Sequence, residues 1–459
     1  MDWRRQARVT ITQLDREILE LETSLAHLRE RRTTILCTIA PVKFIPSEIL
    51  EAIFKLLAHG GWDSYELPYS IRLSHVNRRW RKIAINLSSL WSVIRISPKR
   101  SIDLISLYLE RCGEYPLDVT FEPEKSGDFE EMVKVVVPHL AHLRCLSVKA
   151  CSDIIIRDAV EPLADFPARH LESLVFEANY SQYANLPFAF FAGGLPLLTS
   201  TRICGFSLPW DSPLLAGLTS LDLDCLPWDD GPGYEQFRDM IIACPNLECL
   251  RIAHINVSWL EVVCLKPVIH IPTLQSLTLH LSLPHEIISL CKLLSTPALK
   301  SLTIIESVFN ISSDLLMAGN SHWYRYPVLE CLKLSLTQSS LHCQPDDFLR
   351  SVPMISSFSL EGTDSDMFVS LLKEPVAYSQ PSLDSLFLPN LRTITVVGPY
   401  NKDLLIDMLS ARHAVGCPIS TICLSPSVLS DREFIDRIYG DGNVKTILPA
   451  DEYRLSQDM

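Results

Sequence analysis

Apolar residues recur along the chain in three patterns, and each predicts a different kind of element. Over residues 8–36, Ile11, Leu14, Ile18, Leu21, Leu25 and Leu28 alternate spacings of three and four. That is the seam of one amphipathic, coiled-coil-like helix. Ile at a and Leu at d suit a parallel pair. Against it, Glu17 would face Glu22 of a parallel twin, and Arg32 occupies the next a position. Three uses of the seam stay open: packing on its own chain, self-association, or another partner. Three heptads lie near the lower limit for a coiled coil. Packing on its own chain, in a monomer, is therefore the expected use.

Between 40 and 95 the period is again helical. Pro41 and Pro46 punctuate the start, Ser47 suits an N-cap, and Glu48 suits a first turn. Ile49, Ile53 and Leu57 run down one face, with Leu50 and Phe54 beside them. Gly60 and Gly61 end this helix, and a loop is expected over 59–68. A second helix follows with Leu73, Val76, Trp80, Ile83 and Leu87 as its stripe. Arg78, Arg79, Arg81 and Lys82 occupy its other face.

From about residue 90 the pattern changes to a repeated L-x-x-L-x-L string. The strongest copies are LTSLDL (218–223), LECLRI (247–252), LQSLTL (274–279), LKSLTI (299–304) and LECLKL (329–334). Weaker copies extend the series from 143 to 424, at a mean spacing of about 28 residues. Pro196, Pro245, Pro272, Pro297, Pro327, Pro353 and Pro389 each stand two residues before a copy. Pro there stops a preceding helix and admits an extended chain. LWSVIRI (90–96) and PLDVTF (116–121) continue the series backwards, joined by helices expected near 101–112 and 128–137. One such unit cannot bury its apolar side alone, so neighbours must stack. The expected fold is α/β: a leucine-rich-repeat solenoid, or horseshoe, over 96–440. A small all-α unit over 40–95 and the helix at 8–36 precede it, and a tail over 441–459 follows.

Composition and charge narrow the function. The 459 residues carry 41 Lys plus Arg and 54 Asp plus Glu, a net of −13. A primary nucleic-acid binder needs a basic face, so nucleic acid is not expected as a partner. The basic exception is residues 72–100, with eight Lys or Arg and no acid. No apolar run is long enough to span a membrane. Fourteen Cys without one C-x-x-C pair read as reduced thiols, which suits a cytoplasmic or nuclear protein. Cys145, Cys249 and Cys331 share one place in three repeats, without matching His, and read as ordinary small side chains. Neither a phosphate-binding G-x-x-x-x-G-K nor an HExxH, GxSxG or Cys/His quartet is present. No catalytic, metal or cofactor-binding residue is therefore assigned.

Residues 45–91 carry a resemblance. Ile45-Pro46-Ser47-Glu48-Ile49-Leu50, then Ile53-Phe54, then Leu73, Val76 and Trp80, then Leu90-Trp91 resemble an F-box. The repeats resemble the substrate-binding half of F-box/leucine-rich-repeat proteins, a family in which a coiled-coil-like helix also precedes the F-box. Asn77 departs from the pattern, where Cys is common, and so does the long loop at 59–68. The resemblance implies a substrate-recognition subunit of a Skp–cullin–F-box ubiquitin ligase. Its F-box would bind the Skp adaptor, and through it the cullin scaffold, using Ile45, Pro46, Ile49, Leu50, Ile53, Phe54, Leu73, Val76 and Trp80. Its repeats would hold a protein substrate whose identity is not legible. The alternative is a non-catalytic repeat scaffold with no role in ubiquitination. Within the repeats, Arg251, Thr278, Thr303 and Lys333 fall in one outward row, with positive ends that would prefer an acidic or phosphorylated segment.

Overall fold

A computed structural model describes residues 2–39, 41–57, 68–124, 129–152, 154–156, 163, 168–178, 194–206, 208–226, 231–255, 266–281, 284–306, 326–336, 349, 352–362, 365–373, 387–440 and 444–450. Residues 59–67 of the loop expected over 59–68, and the end of the expected tail, 451–459, lie outside the described residues. The chain divides into two compact units. One holds residues 1–93 and 108–115, the other 94–107 and 116–459.

The first unit begins with α1, Asp2–Ile39, a single helix of 38 residues. Inside it the hydroxyls of Thr10, Thr12 and Thr23 donate to carbonyls four residues back. Its seam does not pack on its own chain as expected. Ile11, Leu14, Ile18, Leu21, Leu25 and Leu28 are 46 to 70% exposed. Helix α2, Ser47–Leu57, buries Leu50 and Phe54. The single helix expected next is two, α3 (Tyr69–Val76) and α4 (Arg78–Asn86). They separate at Asn77, whose backbone is extended and whose side-chain oxygen accepts from the Trp80 N–H at 2.9 Å. That is an N-cap, and it gives the departure at Asn77 a physical reason. Below the helices Trp91 is fully buried and donates its indole N–H to the Ala84 carbonyl at 2.6 Å. The ring of Tyr108 meets it edge-on at 4.9 Å. Tyr108 in turn shares a hydrogen bond with Ser70.

Among the described residues, the second unit is built on one open sheet of fourteen strands. In chain order they are β1 (Val93–Ile96), β2 (Leu117–Phe121), β3 (Leu143–Ala150), β4 (Ser173–Ala178), β5 (Ser200–Cys204), β6 (Ser220–Asp224) and β7 (Cys249–Ala253). A two-residue β8 (Ile269–His270) pairs with β10 (Leu294–Ser295) outside that sheet. The main sheet continues with β9 (Ser276–Leu281), β11 (Ser301–Glu306), β12 (Cys331–Leu336), β13 (Ser357–Gly362), β14 (Thr393–Val397), β15 (Thr421–Leu424) and β16 (Thr446–Pro449). From β2 to β16 every pairing is parallel. Strand β16 falls in the segment expected as a tail, and its residues pair with β15.

The register explains the repeat. Leu250, Leu277, Leu302, Leu332, Phe358, Ile394 and Ile422 stand opposite one another across seven strands, and so do Ile252, Leu279, Ile304, Leu334, Leu360, Val396 and Leu424. All fourteen side chains are buried. The two apolar positions of L-x-L therefore form two continuous ladders, each filled by its neighbours. Helix α5 (Ile102–Cys112) begins in the second unit and ends in the first, and the later return segments carry α6 (Phe129–Val136), α7 (Tyr234–Ile242), α8 (Pro284–Leu293), α9 (Ser365–Lys373), α10 (Lys402–Ala414), α11 (Pro426–Leu429) and α12 (Arg432–Gly440). Gly205, with φ +82°, follows β5, and a Cβ there would lie 1.9 Å from the Ala178 carbonyl oxygen. Only Gly fits that turn.

Candidate docking surfaces

In the helical unit the residues proposed for docking fall into two sets. Leu50, Phe54 and Leu73 are buried, and the Phe54 ring meets half-buried Trp80 edge-on at 5.1 Å. These hold the unit together and present little to a partner. Pro46, Ile49, Ile53 and Val76 are exposed, and Ile45 is half-buried. Exposed Leu56, three residues after Ile53, extends the outward face of α2. The lead-in to α2 is fastened by Arg79. Its guanidinium donates to the carbonyls of Lys43 at 2.9 Å and Ile45 at 2.6 Å, and to the Ser47 hydroxyl at 3.2 Å. Arg81 donates to the Ser74 carbonyl at 2.9 Å. Two of the four cations placed opposite the apolar stripe thus serve the internal structure. Neither role was read from the sequence, although an Arg within reach of helix ends is a usual source of such bonds.

On the sheet, Arg251, Thr278, Thr303 and Lys333 do stand side by side on β7, β9, β11 and β12. Their register was legible, because strands stacked on identical apolar ladders must align their intervening positions too. The two positive ends of the row are both ion-paired. Arg251 lies 3.5 Å from Asp222 and 3.1 Å from Asp224, and Lys333 lies 3.1 Å from Glu361. The pairing continues along the face. Lys149 meets Glu177, Glu177 meets Arg202, and Arg202 meets Asp222. At the far end His254 Nδ1 is 2.9 Å from Asp224. Comparing LTSLDL with LECLRI would have found part of this, since Asp222 and Arg251 occupy one place in adjacent copies.

Burial and pairing compete at these carboxyls. Burial pushes Asp222 above the ordinary carboxylate value, although Arg202 and Arg251 pull it down. Burial acts the same way on Asp224, yet hydrogen bonds with His254 and Cys225 and the charge of Arg251 outweigh it, so that group is lowered. Cys204, Asp224 and Cys225 place three donor atoms within 4.8 Å of one another. That donor set would suit a thiophilic divalent cation. Arg251 and His254 already hold the Asp224 carboxylate, and burial pushes the Cys225 thiol up to about 12. The cluster reads as the closed end of the ion-pair chain. Cys145, Cys249 and Cys331 do not meet. Cys249 and Cys331 are separated by Ser276 and Ser301 on the intervening strands.

No protein-family model matches the chain, and no curated protein matches it. Among the described residues, no helix is long and apolar enough to cross a membrane.

Proposed function

We propose that the chain is a non-catalytic substrate-recognition subunit of a Skp–cullin–F-box ubiquitin ligase. Residues 40–95 act as the F-box, and the parallel sheet is a leucine-rich-repeat solenoid that holds a protein substrate. The observation that carries this reading is the division of labour in the helical unit. Leu50, Phe54 and Leu73 form its interior, while Ile49, Ile53 and Val76 are 52, 40 and 56% exposed. Apolar side chains left outward beside the Ile45-Pro46 opening are what an adaptor-docking face requires. The subunit supplies proximity, holding a substrate lysine near a ubiquitin-loaded enzyme. The paired cations of the sheet withdraw the preference for an acidic substrate. A face whose charges neutralise one another selects by shape and hydrogen bonding.

The test is capture of adaptor and cullin by the full chain. Burying Ile49 and Val76 side chains stabilises docking by roughly 1.5–3 kcal/mol each at most. The double variant Ile49→Ala, Val76→Ala should keep its helix content and lose adaptor affinity by about tenfold or more. Wild-type chain that captures neither protein would leave the scaffold reading in place.

A further inference from the structure

The exposed seam of α1 demands a partner, and its charge pattern says which one. We infer that α1 pairs with α1 of a second copy of this chain, antiparallel, with the two helices crossing at Thr23. Six large apolar residues on one stripe of a solvated helix are a partner surface, because a coiled-coil seam is buried only between helices. The stripe spans residues 11–28 and continues to exposed Ile35.

Among the pairings of two such helices that keep a and d positions in contact, the three with the longest overlap differ in their flanks. A parallel pair in register puts Arg32 on Arg32 of the copy and Glu17 against Glu22 of the copy. An antiparallel pair crossing between Leu19 and Glu20 joins Leu14 to Leu25 and Ile18 to Leu21. It also sets Asp15 against Glu22 and Arg8 against Arg29, each twice. An antiparallel pair crossing at Thr23 joins Ile11 to Ile35, Ile18 to Leu28 and Leu21 to Leu25. In antiparallel pairs g meets g and e meets e, so Glu17 then faces Arg31 and Asp15 faces Arg29, each twice. Glu22 facing its own copy is the one like-charge contact. Arg32 falls beside Leu14, where its stem lies on apolar surface and its head reaches water. The acidic stretch 15–22 and the basic stretch 29–32 thus select the third arrangement. It overlaps residues 7–39 of each copy, about 50 Å of helix at 1.5 Å per residue.

The experiment is light scattering on the full chain over a concentration series, for wild type, Glu17→Arg and the double variant Glu17→Arg, Arg31→Glu. Wild type should be a dimer at micromolar concentration and weaken at high salt. Glu17→Arg should raise the dissociation constant by about three- to tenfold, as two opposite-charge contacts become like-charge ones. The double variant should return it to near the wild-type value. In a parallel pair Glu17→Arg would relieve the clash with Glu22 and tighten the dimer, which would overturn the inference. So would a wild-type chain that stays monomeric at tens of micromolar. Glu17 and Arg31 are both exposed, so neither variant threatens the fold of the chain.

Discussion

Arg79 and Ile45 lie thirty-four residues apart, and a single 2.6 Å hydrogen bond from the guanidinium to the carbonyl joins them. That bond, with those to Lys43 and Ser47, ties the segment before α2 to the start of α4. Arg79→Ala should release it. Hydrogen bonds from a charged donor contribute about 1.5–3 kcal/mol, less where they are part-exposed as here. Amide hydrogen exchange should speed up over residues 45–50 while α3 and the sheet stay protected. Unchanged exchange there would show that the clamp does not hold the segment.

The two sets of apolar residues on α2 predict opposite outcomes from neighbouring substitutions. Phe54 is fully buried and Ile53 is 40% exposed. Phe54→Ala should cost about 3–5 kcal/mol of stability through the cavity it leaves. Ile53→Ala should cost under about 1 kcal/mol and reveal itself only in binding. Urea denaturation of both variants decides the point. Equal losses would mean that the inside and the outside of the helix have been misassigned.

Arg251 sits between two carboxylates, and its replacement should be felt in stability before it is felt in binding. Arg251→Glu gathers three acids in one place on a part-buried face. The expected loss is about 1–3 kcal/mol, at the low end of broken buried pairs because the arginine is a third exposed. Arg251→Met should lose less, since it keeps the packing and adds no charge. A chemical-denaturation curve for Arg251→Glu that overlays the wild type would argue against the ion-pair chain.

Stability should also fall on mild acidification. Burial, then the charge of His254, holds His280 below the ordinary imidazole value of 6.5, and Arg251 adds to this while Asp224 opposes it. The two imidazole rings lie 3.9 Å apart. Below 6.5 the unfolded chain takes up this proton more readily than the folded chain does. The contribution of neutral His280 is thus complete above pH 6.5 and is lost as the pH falls towards its lowered value. His280→Gln should flatten the dependence of the melting temperature between pH 5 and 7. An equally steep dependence in that variant would move the effect to other groups.

The period of the repeats made the sheet legible. L-x-x-L-x-L at a steady spacing leaves few ways to bury three apolar side chains, so strand positions and register follow from it. Helices expected near 101–112 and 128–137 are present as α5 and α6. Polar bonds that join distant residues were not legible. Asn77 ends one helix and caps another because its side chain outcompetes continued helix, yet the apolar stripe runs through it unbroken. The neutralisation of Lys333 was hidden for another reason. Its carboxylate, Glu361, stands two residues beyond its register partner Ser359, a diagonal reach that alignment of copies does not display. The seam of α1 was read correctly as a stripe, but a stripe carries no statement of what covers it.

One property of the sheet bears on how the chain is made. Its strand order rises from β1 to β16 without a step backwards. Each strand as it leaves the ribosome therefore meets a neighbour already in place, and only the newest edge of the apolar ladders waits for a segment still to be translated. Growth of this kind is vectorial, with contacts confined to adjacent repeats. A translation pause within the repeats would leave a shorter sheet with a single unfinished edge. A sheet whose central strands are synthesised last would be left with no centre at all.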